Sequence, residues 1–297
     1  MITKTTMITI AGRPNVGKST LLNRLVGEKV AIVSNKPQTT RSRITGVVNR
    51  GENQMVFLDT PGFHRPRTRL GDYMVGVVRA SVSDVDAVVL LVEPIANIGP
   101  QEAGLLDQLR ASEIPAVLGI NKIDEVEKDT LLSVIAVYSQ AFDFRAIVPI
   151  SARTGDGVDA LLDELEVFAV PGPQLFPDGM VTDQPERQIA AEIIREKLLW
   201  NLEKEIPHGT AVEITRFSER ENGLVDIFAT IYCERAGHKG IIIGKNGAML
   251  KKISTAARED CERFLGAKVY LEVHVKTRER WRNDLRMIHN LGYDDRE

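Results

Sequence analysis

Residues 12–19 read Gly-Arg-Pro-Asn-Val-Gly-Lys-Ser and follow directly on the apolar run Met7 to Ile10. No other feature constrains the fold as much. The G-x-x-x-x-G-K-S spacing requires a strand that ends in a glycine loop and continues into a helix. The loop backbone curls around phosphates with its N–H groups pointing inward, and the helix turns its positive end to the same anion. Gly12, Asn15, Val16, Gly17, Lys18, Ser19 and Thr20 are therefore assigned to the loop and the first helical turn. Lys18 brings a cation to the β- and γ-phosphates, and Ser19 offers a hydroxyl to Mg2+.

The first half keeps the rhythm this loop demands. Met7 to Ile10, Met55 to Leu58, Ala87 to Val92, Ala116 to Ile120 and Ala146 to Ile150 are strand-sized apolar runs. Lys18 to Val26, Gln101 to Ala111, Asp129 to Phe142 and Val158 to Phe168 lie between or after them as helix candidates. The alternation predicts an α/β P-loop domain, mostly parallel sheet with helices on both faces. It stops at PGPQLFPDGMVTDQPE, which holds four of the 13 prolines. Such a stretch reads as a linker or crossover.

Beyond it come a helical pattern over Arg187 to Glu205 and alternating runs over Ala211 to Phe217 and Leu224 to Cys233. A glycine-rich turn, a helix from Ala248 to Leu265 and a strand from Lys268 to Val275 follow. Leu285, Ile288 and Leu291 have the spacing of a closing helix that faces the core. This is α+β grammar. With 297 residues, enough for two domains, the expected division is 1–172, a linker over 173–186, and a second domain over 187–297.

Three further motifs sit at strand ends, where open α/β sheets bind ligands. Asp59-Thr60-Pro61-Gly62 places a carboxylate near the metal and a Gly62 N–H near the γ-phosphate. Asn121-Lys122-Ile123-Asp124 selects the base. An ionised Asp only accepts hydrogen bonds, so Asp124 matches the adjacent N1–H and 2-amino donors of guanine and is mismatched to adenine. Asn121 is read as tying loops together, and the Lys122 stem as lying over the base. Ser151-Ala152 is read as offering backbone N–H to guanine O6. Together the four motifs predict GTP and GDP binding. Phe63 follows Gly62, where many signalling GTPases place a water-positioning Gln. An apolar side chain cannot orient water, so slow intrinsic hydrolysis is expected.

In the second half, Gly244-Lys245-Asn246-Gly247 lies between apolar helical segments, Ile241 to Ile243 before it and Leu250 and Ile253 after it. A G-x-x-G turn between helices lets nucleic-acid backbone approach closely. Lys239, Lys245, Lys251 and Lys252 supply positive charge with no acidic residue between the first and last of them. Arg278 and Arg280, in the basic run before Arg282, are further RNA-contact candidates. Trp281 either stacks on a base or caps the core beside the last strand, and the cap is the preferred reading.

The net charge of −3 excludes a globally polycationic binder, so nucleic acid must be held by local patches. Cys233 and Cys261 form no metal or disulfide pattern and are expected as reduced thiols, and the five histidines lack zinc spacing. No leader and no run of about 18 apolar residues is present, so a cytoplasmic protein is expected.

The strings GRPNVGKS, PQTTR, DTPG with an apolar follower, NKID, SARTG, AEIIREKLL, IIIGKNGAMLKKI and WRNDLRMIHNLGY cover nearly the whole chain. Together they resemble the bacterial KH-domain GTPases of small-subunit ribosome assembly, within the Era/TrmE-like superfamily. The resemblance implies a type II KH fold for the second domain. It places Thr39-Thr40 in the first switch, with Thr40 the preferred Mg2+ ligand beside Ser19 and Asp59, and makes Asn15 a candidate K+ ligand. Lys18, Thr40 and Gly62 are then the residues assigned to the reaction. It further implies a monomer that binds the 3′ end of 16S rRNA and the small (30S) subunit under nucleotide control. It also implies loose association with the inner face of the cell membrane, although no segment here would anchor the chain. The alternatives are an RNA adaptor that binds nucleotide with little hydrolysis, and a GTPase coupled to RNA modification. The second would need a C-terminal cysteine motif, and the chain ends Asp-Asp-Arg-Glu.

Overall fold

A computed structural model describes residues 2–61, 68–83 and 85–293. The chain divides into two compact units. One takes Met1–Ala31, Thr40–Arg65 and Met74–Asp183; the other takes Ile32–Thr39, Pro66–Tyr73 and Gln184–Glu297.

The first unit alternates strands and helices: β1 (Lys4–Ala11), α1 (Lys18–Val26), β2 (Ile44–Arg50), β3 (Asn53–Asp59), α2 (Arg69–Ser83, of which this unit takes the part from Met74 on), β4 (Ala87–Val92), α3 (Pro100–Ser112), β5 (Ala116–Ile120), α4 (Lys128–Ala141), β6 (Ala146–Pro149), α5 (Val158–Glu166) and β7 (Val170–Pro171). The sheet runs β2-β3-β1-β4-β5-β6, with β7 added to β1. Its centre is parallel, and β2 and β7 pair antiparallel. Every residue of β4 and β5 is buried, as expected for strands covered on both faces. Val89 and Leu91 join one core with Ile8, Leu21 and Leu161; Val88 and Leu90 join another with Leu105, Leu118 and Val134. The period of two along β4 thus sends alternate side chains to opposite helix layers.

Strand β2 has no counterpart in the sequence reading. Only its first four residues are buried, Gly46 interrupts its apolar run, and it ends in polar residues. Gly46 passes close to α1: a Cβ there would stand 2.5 Å from Leu22 Cδ1 and 2.7 Å from Val26 Cγ2, so those side chains would have to shift. The two-residue connection from β2 to β3 contains Gly51 at φ 59°, the left-handed geometry that tight hairpins need.

The proline-rich stretch is strapped to the first unit. Gly172 N donates to Thr3 O (3.1 Å), Val47 N to Val181 O (2.8 Å) and Thr182 Oγ1 to Thr45 O (2.7 Å). Gln54, fully buried, fastens its middle. The Gln54 Oε1 accepts from Leu175 N (2.8 Å) and Phe176 N (2.9 Å), while Nε2 donates to Phe176 O (2.9 Å) and Asn49 Oδ1 (3.0 Å).

The second unit contains α6 (Glu186–Asn201), β8 (Thr210–Glu219), β9 (Val225–Cys233), α7 (Ala236–Ile243), α8 (Ala248–Leu265), β10 (Val269–Thr277) and α9 (Leu285–Asn290). The sheet order is β10-β9-β8, with β8 antiparallel and β10 parallel to β9. Ile189, Ile193 and Leu198 of α6, Ile227 and Ile231 of β9, and Ile253 and Ala257 of α8 share its core. Trp281 is fully buried and donates through Nε1 to Gly209 O (2.9 Å), so it caps the core. Cys233 and Cys261 form no disulfide, and both are buried.

Two apolar expectations are corrected. Leu285 is 52% exposed while Ile288 and Leu291 are buried. The helix starts at Leu285, where Asp284 caps it by accepting from Arg286 N and Met287 N, so this first residue stays at the rim. In the triplet before the G-x-x-G turn, Ile242 is buried but Ile241 is 51% exposed. Adjacent residues of a helix point about 100° apart, so a triplet cannot face one core.

Replacing Gln54→Ala leaves strap amides without their acceptor in a buried position, at a cost of about 1–3 kcal/mol. The variant is expected to melt earlier and to be nicked by protease within 173–183 before the rest of the unit. A protected strap at unchanged melting temperature would show that the backbone bonds of Val47 and Thr182 suffice.

Candidate functional site

The loop after β1 has close approaches and positive φ angles that its two glycines make possible. Gly12 has φ 154° and its Cβ would meet Leu91 O at 2.5 Å; Gly17 has φ 106° and its Cβ would meet Asn121 Nδ2 at 2.2 Å. Asn15, exposed at the tip, is also left-handed at φ 66°. Val16 is fully buried and anchors the loop in the core. Lys18, Ser19 and Thr20 form the first turn of α1. The Lys18 ammonium is turned into the loop, donating to Gly12 O and Arg13 O at 3.1 Å each.

Three oxygen-bearing side chains meet beside it. Ser19 Oγ donates to Asp59 Oδ2 (2.6 Å), Thr40 Oγ1 lies 3.0 Å from Ser19 Oγ, and Thr40 donates to the same Asp59 oxygen (3.3 Å). Asp59 is fully buried, and among the described residues its Oδ1 finds no hydrogen-bond donor. Burial pushes the Asp59 carboxyl up, against Lys18, the Ser19 and Thr40 hydroxyls and the Thr60 backbone. Burial likewise pushes Lys18 down, partly offset by Asp59. An orphaned carboxylate oxygen with two hydroxyls fits a hard, oxygen-loving cation such as Mg2+. No group of three or more His, Cys, Asp or Glu that could hold a metal occurs among the described residues. Thr39 differs from its neighbour: its hydroxyl donates to Lys36 O (2.6 Å). Gly62 and Phe63 lie outside the described residues.

Asn121 ties two loops. Its Nδ2 donates to Val16 O (2.8 Å) and its Oδ1 accepts from Ala152 N (2.9 Å). Lys122 is left-handed at φ 66° and is ion-paired to Glu93. Asp124 stands in the turn after β5, with Ser151 and Arg153 around its carboxylate; the Ser151 hydrogen bond leads in holding it below the usual carboxylate range. The Ser151 N–H donates to Asp156 O (2.8 Å) and the Ala152 N–H to Asn121. Both amides expected for guanine O6 are therefore already engaged. Of the first amides in this loop, that of Arg153 alone has no partner among the described residues, and the motif spacing did not single it out. Glu93, which belongs to none of the motifs, pairs with both Arg13 and Lys122.

In the second unit, Gly244 has φ 74°, and a Cβ there would lie 2.7 Å from Met249 Cβ and 2.9 Å from Met249 N. The turn Lys245–Gly247 connects α7 to α8, with Asn246 at φ 52° and Gly247 at φ 77°. Lys245, Asn246, Lys251 and Lys252 are exposed, and Lys239 is half-buried. Exposed Ile241 adds an apolar surface on α7, the helix that leads into this turn. Arg278 and Arg280 are exposed, and Arg278 is paired to Asp284 at 3.0 Å. No described helix is long and apolar enough to cross a membrane.

The 50S ribosome-binding GTPase family model matches residues 7–122, and the KH domain model matches residues 205–282. The chain is 52% identical over 290 residues to the GTPase Era of Ruminiclostridium cellulolyticum, covering 98% of this chain and 97% of that protein. It is 53% identical to the GTPase Era of Geobacter metallireducens over 287 residues, 96% of each. Two solved structures superpose with TM-score 0.93 at 36% identity, covering 98% of this chain and 99% of theirs. One is a variant of Aquifex aeolicus Era bound to GDP·AlF4−; the other is Era in complex with MgGDPNP and nucleotides 1506–1542 of 16S ribosomal RNA.

Asp124→Asn replaces an acceptor by an amide donor facing the donors of guanine. GTP affinity should fall by about tenfold or more, and affinity for xanthosine triphosphate, which offers an oxygen in place of the 2-amino group, should rise. Titrating both nucleotides against both proteins tests this; an unchanged GTP/XTP ratio assigns the base contact to another residue.

Proposed function

The chain belongs to the Era family of GTPases, and on that premise we propose that it works as a GTP-controlled binder of the 3′ end of 16S rRNA on the small (30S) ribosomal subunit. Its enzymatic activity is hydrolysis of GTP to GDP and phosphate. The observation that carries the nucleotide reading is the convergence of Ser19, Thr40 and Asp59 within 3.3 Å beside the Lys18 loop.

In this reading 1–172 is the GTPase domain, 173–186 a connector whose first part is strapped onto it, and 187–297 the KH domain. Gly12, Val16, Gly17 and Thr20 shape the phosphate cradle, and Lys18 leaves the carbonyls of Gly12 and Arg13 for the β- and γ-phosphates. Ser19, Thr40 and Asp59 hold Mg2+, which neutralises charge on the phosphate oxygens. Gly62 offers its backbone N–H to the γ-phosphate. Asn121, Lys122 and Asp124 take the guanine, with Ser151 and Ala152 framing its O6 side and the Arg153 amide as the added donor. Asn15 is the candidate K+ ligand. The attacking water has no side-chain base in this set, so turnover is slow and the protein is a switch.

The RNA reading rests on Gly244, whose missing side chain keeps the turn tight against Met249. Backbone phosphates approach Gly244, Lys245, Asn246 and Gly247, with Lys239, Lys251, Lys252, Arg278 and Arg280 supplying charge. Ile241 gives a base an apolar surface. The protein acts as a monomer in the cytoplasm, with at most peripheral contact to the membrane.

Crosslinking the GTP-bound protein to cellular RNA and sequencing the fragments tests the partner; recovery spread over unrelated RNAs would sink the 16S assignment. The turn is tested by Lys245→Asp together with Asn246→Asp. RNA affinity should fall at least about tenfold, and the salt dependence should flatten by roughly one counterion. GTP affinity should not change. Equal RNA affinities would move the contact to the arginines after β10.

A further inference from the structure

Glu93 follows β4 and stands between two loops of the nucleotide site. Its two oxygens are divided between two cations: Oε2 accepts from Arg13, in the phosphate loop, and Oε1 from Lys122, in the base loop. Arg13 is gripped from a second side, with Nε 3.2 Å from Oε1 of the buried Glu102 in the first turn of α3. We propose that Glu93 is a positioning residue for the nucleotide, joining the lysine of the base loop to the arginine of the phosphate loop so that base and phosphates meet a site of fixed span. This rests on the reading of residues 12–19 and 121–124 as the two halves of one nucleotide site.

The physical argument concerns freedom. A lysine stem has several rotatable bonds, and ordering it when a base arrives opposes binding. With its ammonium already fixed on Glu93, the Lys122 stem is ordered before the base meets it, which is preorganisation. Arg13 feels the same carboxylate, so a shift of either loop disturbs the other. Side-chain exposures of 30% for Arg13, 23% for Glu93 and 28% for Lys122 place the triad between surface and core, where screening is incomplete. Burial works against the Glu93 charge, but Lys122 and Arg13 prevail and hold its carboxyl below the ordinary range. Asn121 forms a separate tie between the base loop and the phosphate loop, through Val16 O. The Glu93 bridge is thus a second fastening, built from charge.

The test follows release of fluorescent GDP from the full chain as wild type, Glu93→Gln, Lys122→Met and the double variant, at low and high salt. Glu93→Gln should release GDP about tenfold faster. Lys122→Met should then cost less in the Gln background than in wild type, because the two act as one unit. Added salt should speed release from wild type more than from Glu93→Gln. Equal release from wild type and Glu93→Gln, or effects of the two changes that simply multiply, would overturn the proposal. Should the Gln variant unfold, Glu93→Asp keeps the charge and is expected to release GDP more slowly than Glu93→Ala; identical rates for the two would overturn it as well. Lys18→Ala runs in parallel. Tight GDP binding by Lys18→Ala would bring down the nucleotide-site reading itself, whereas its loss beside unchanged release from Glu93→Gln brings down the positioning role alone.

Discussion

The side chain of Asn121 is the contact on which the edge of the first unit depends. One amide group holds the phosphate loop through Val16 O and the loop after β6 through Ala152 N. Both bonds are buried, and Asn121 itself is 3% exposed, so neither partner has water as an alternative. Removing the side chain would leave a buried carbonyl and a buried amide unpaired. The close passage of Gly17 against the same Asn121 nitrogen makes the glycine and the asparagine a matched pair. Parallel strands deliver four loops to one edge; this amide fixes the spacing between two of them.

Metal and lysine share a second constraint. Lys18 and Asp59 are both buried, and burial pushes each toward its neutral form. Each charge opposes this shift in the other, and the hydroxyls of Ser19 and Thr40 oppose it in Asp59, but burial leads in both. A cation that settles on Asp59 removes the cost of its buried negative charge, and Lys18 is then free to be matched by phosphate. In the proposed reading, a metal on Asp59 and phosphate beside Lys18 would together relieve both burial costs.

Much of this was legible from residues, and the reasons differ by element. Strands β4 and β5 could be read because burial on both faces leaves an unbroken apolar run. The loop of Gly12 and Gly17 could be read because φ angles of 154° and 106° admit little else. The α+β class of the second unit followed from its changing periods, its KH fold from the Gly244–Gly247 turn and the family resemblance, and the capping role of Trp281 from its place beside the last strand. Strand β2 was illegible because Gly46, close against Leu22, breaks the pattern. The bridge of Glu93 was illegible because a lone glutamate after a strand carries no motif; its meaning lies in two cations 80 and 29 residues away. The engagement of the Ser151 and Ala152 amides depends on loop closure, which spacing does not encode.

The strap over 172–183 bears on where this chain can be cut. Ending a fragment at 172 would strip Gln54 of Leu175 and Phe176 and take Val181 and Thr182 from β2, the outermost strand of its sheet. A bare edge strand with a stranded buried amide is a template for pairing with other chains. A fragment meant to stay soluble has to carry the strap as far as Asp183, whose carboxylate accepts from Thr45. A stretch whose composition reads as a tether thus serves as the selvedge of the sheet, finishing a border that would otherwise unravel into aggregation.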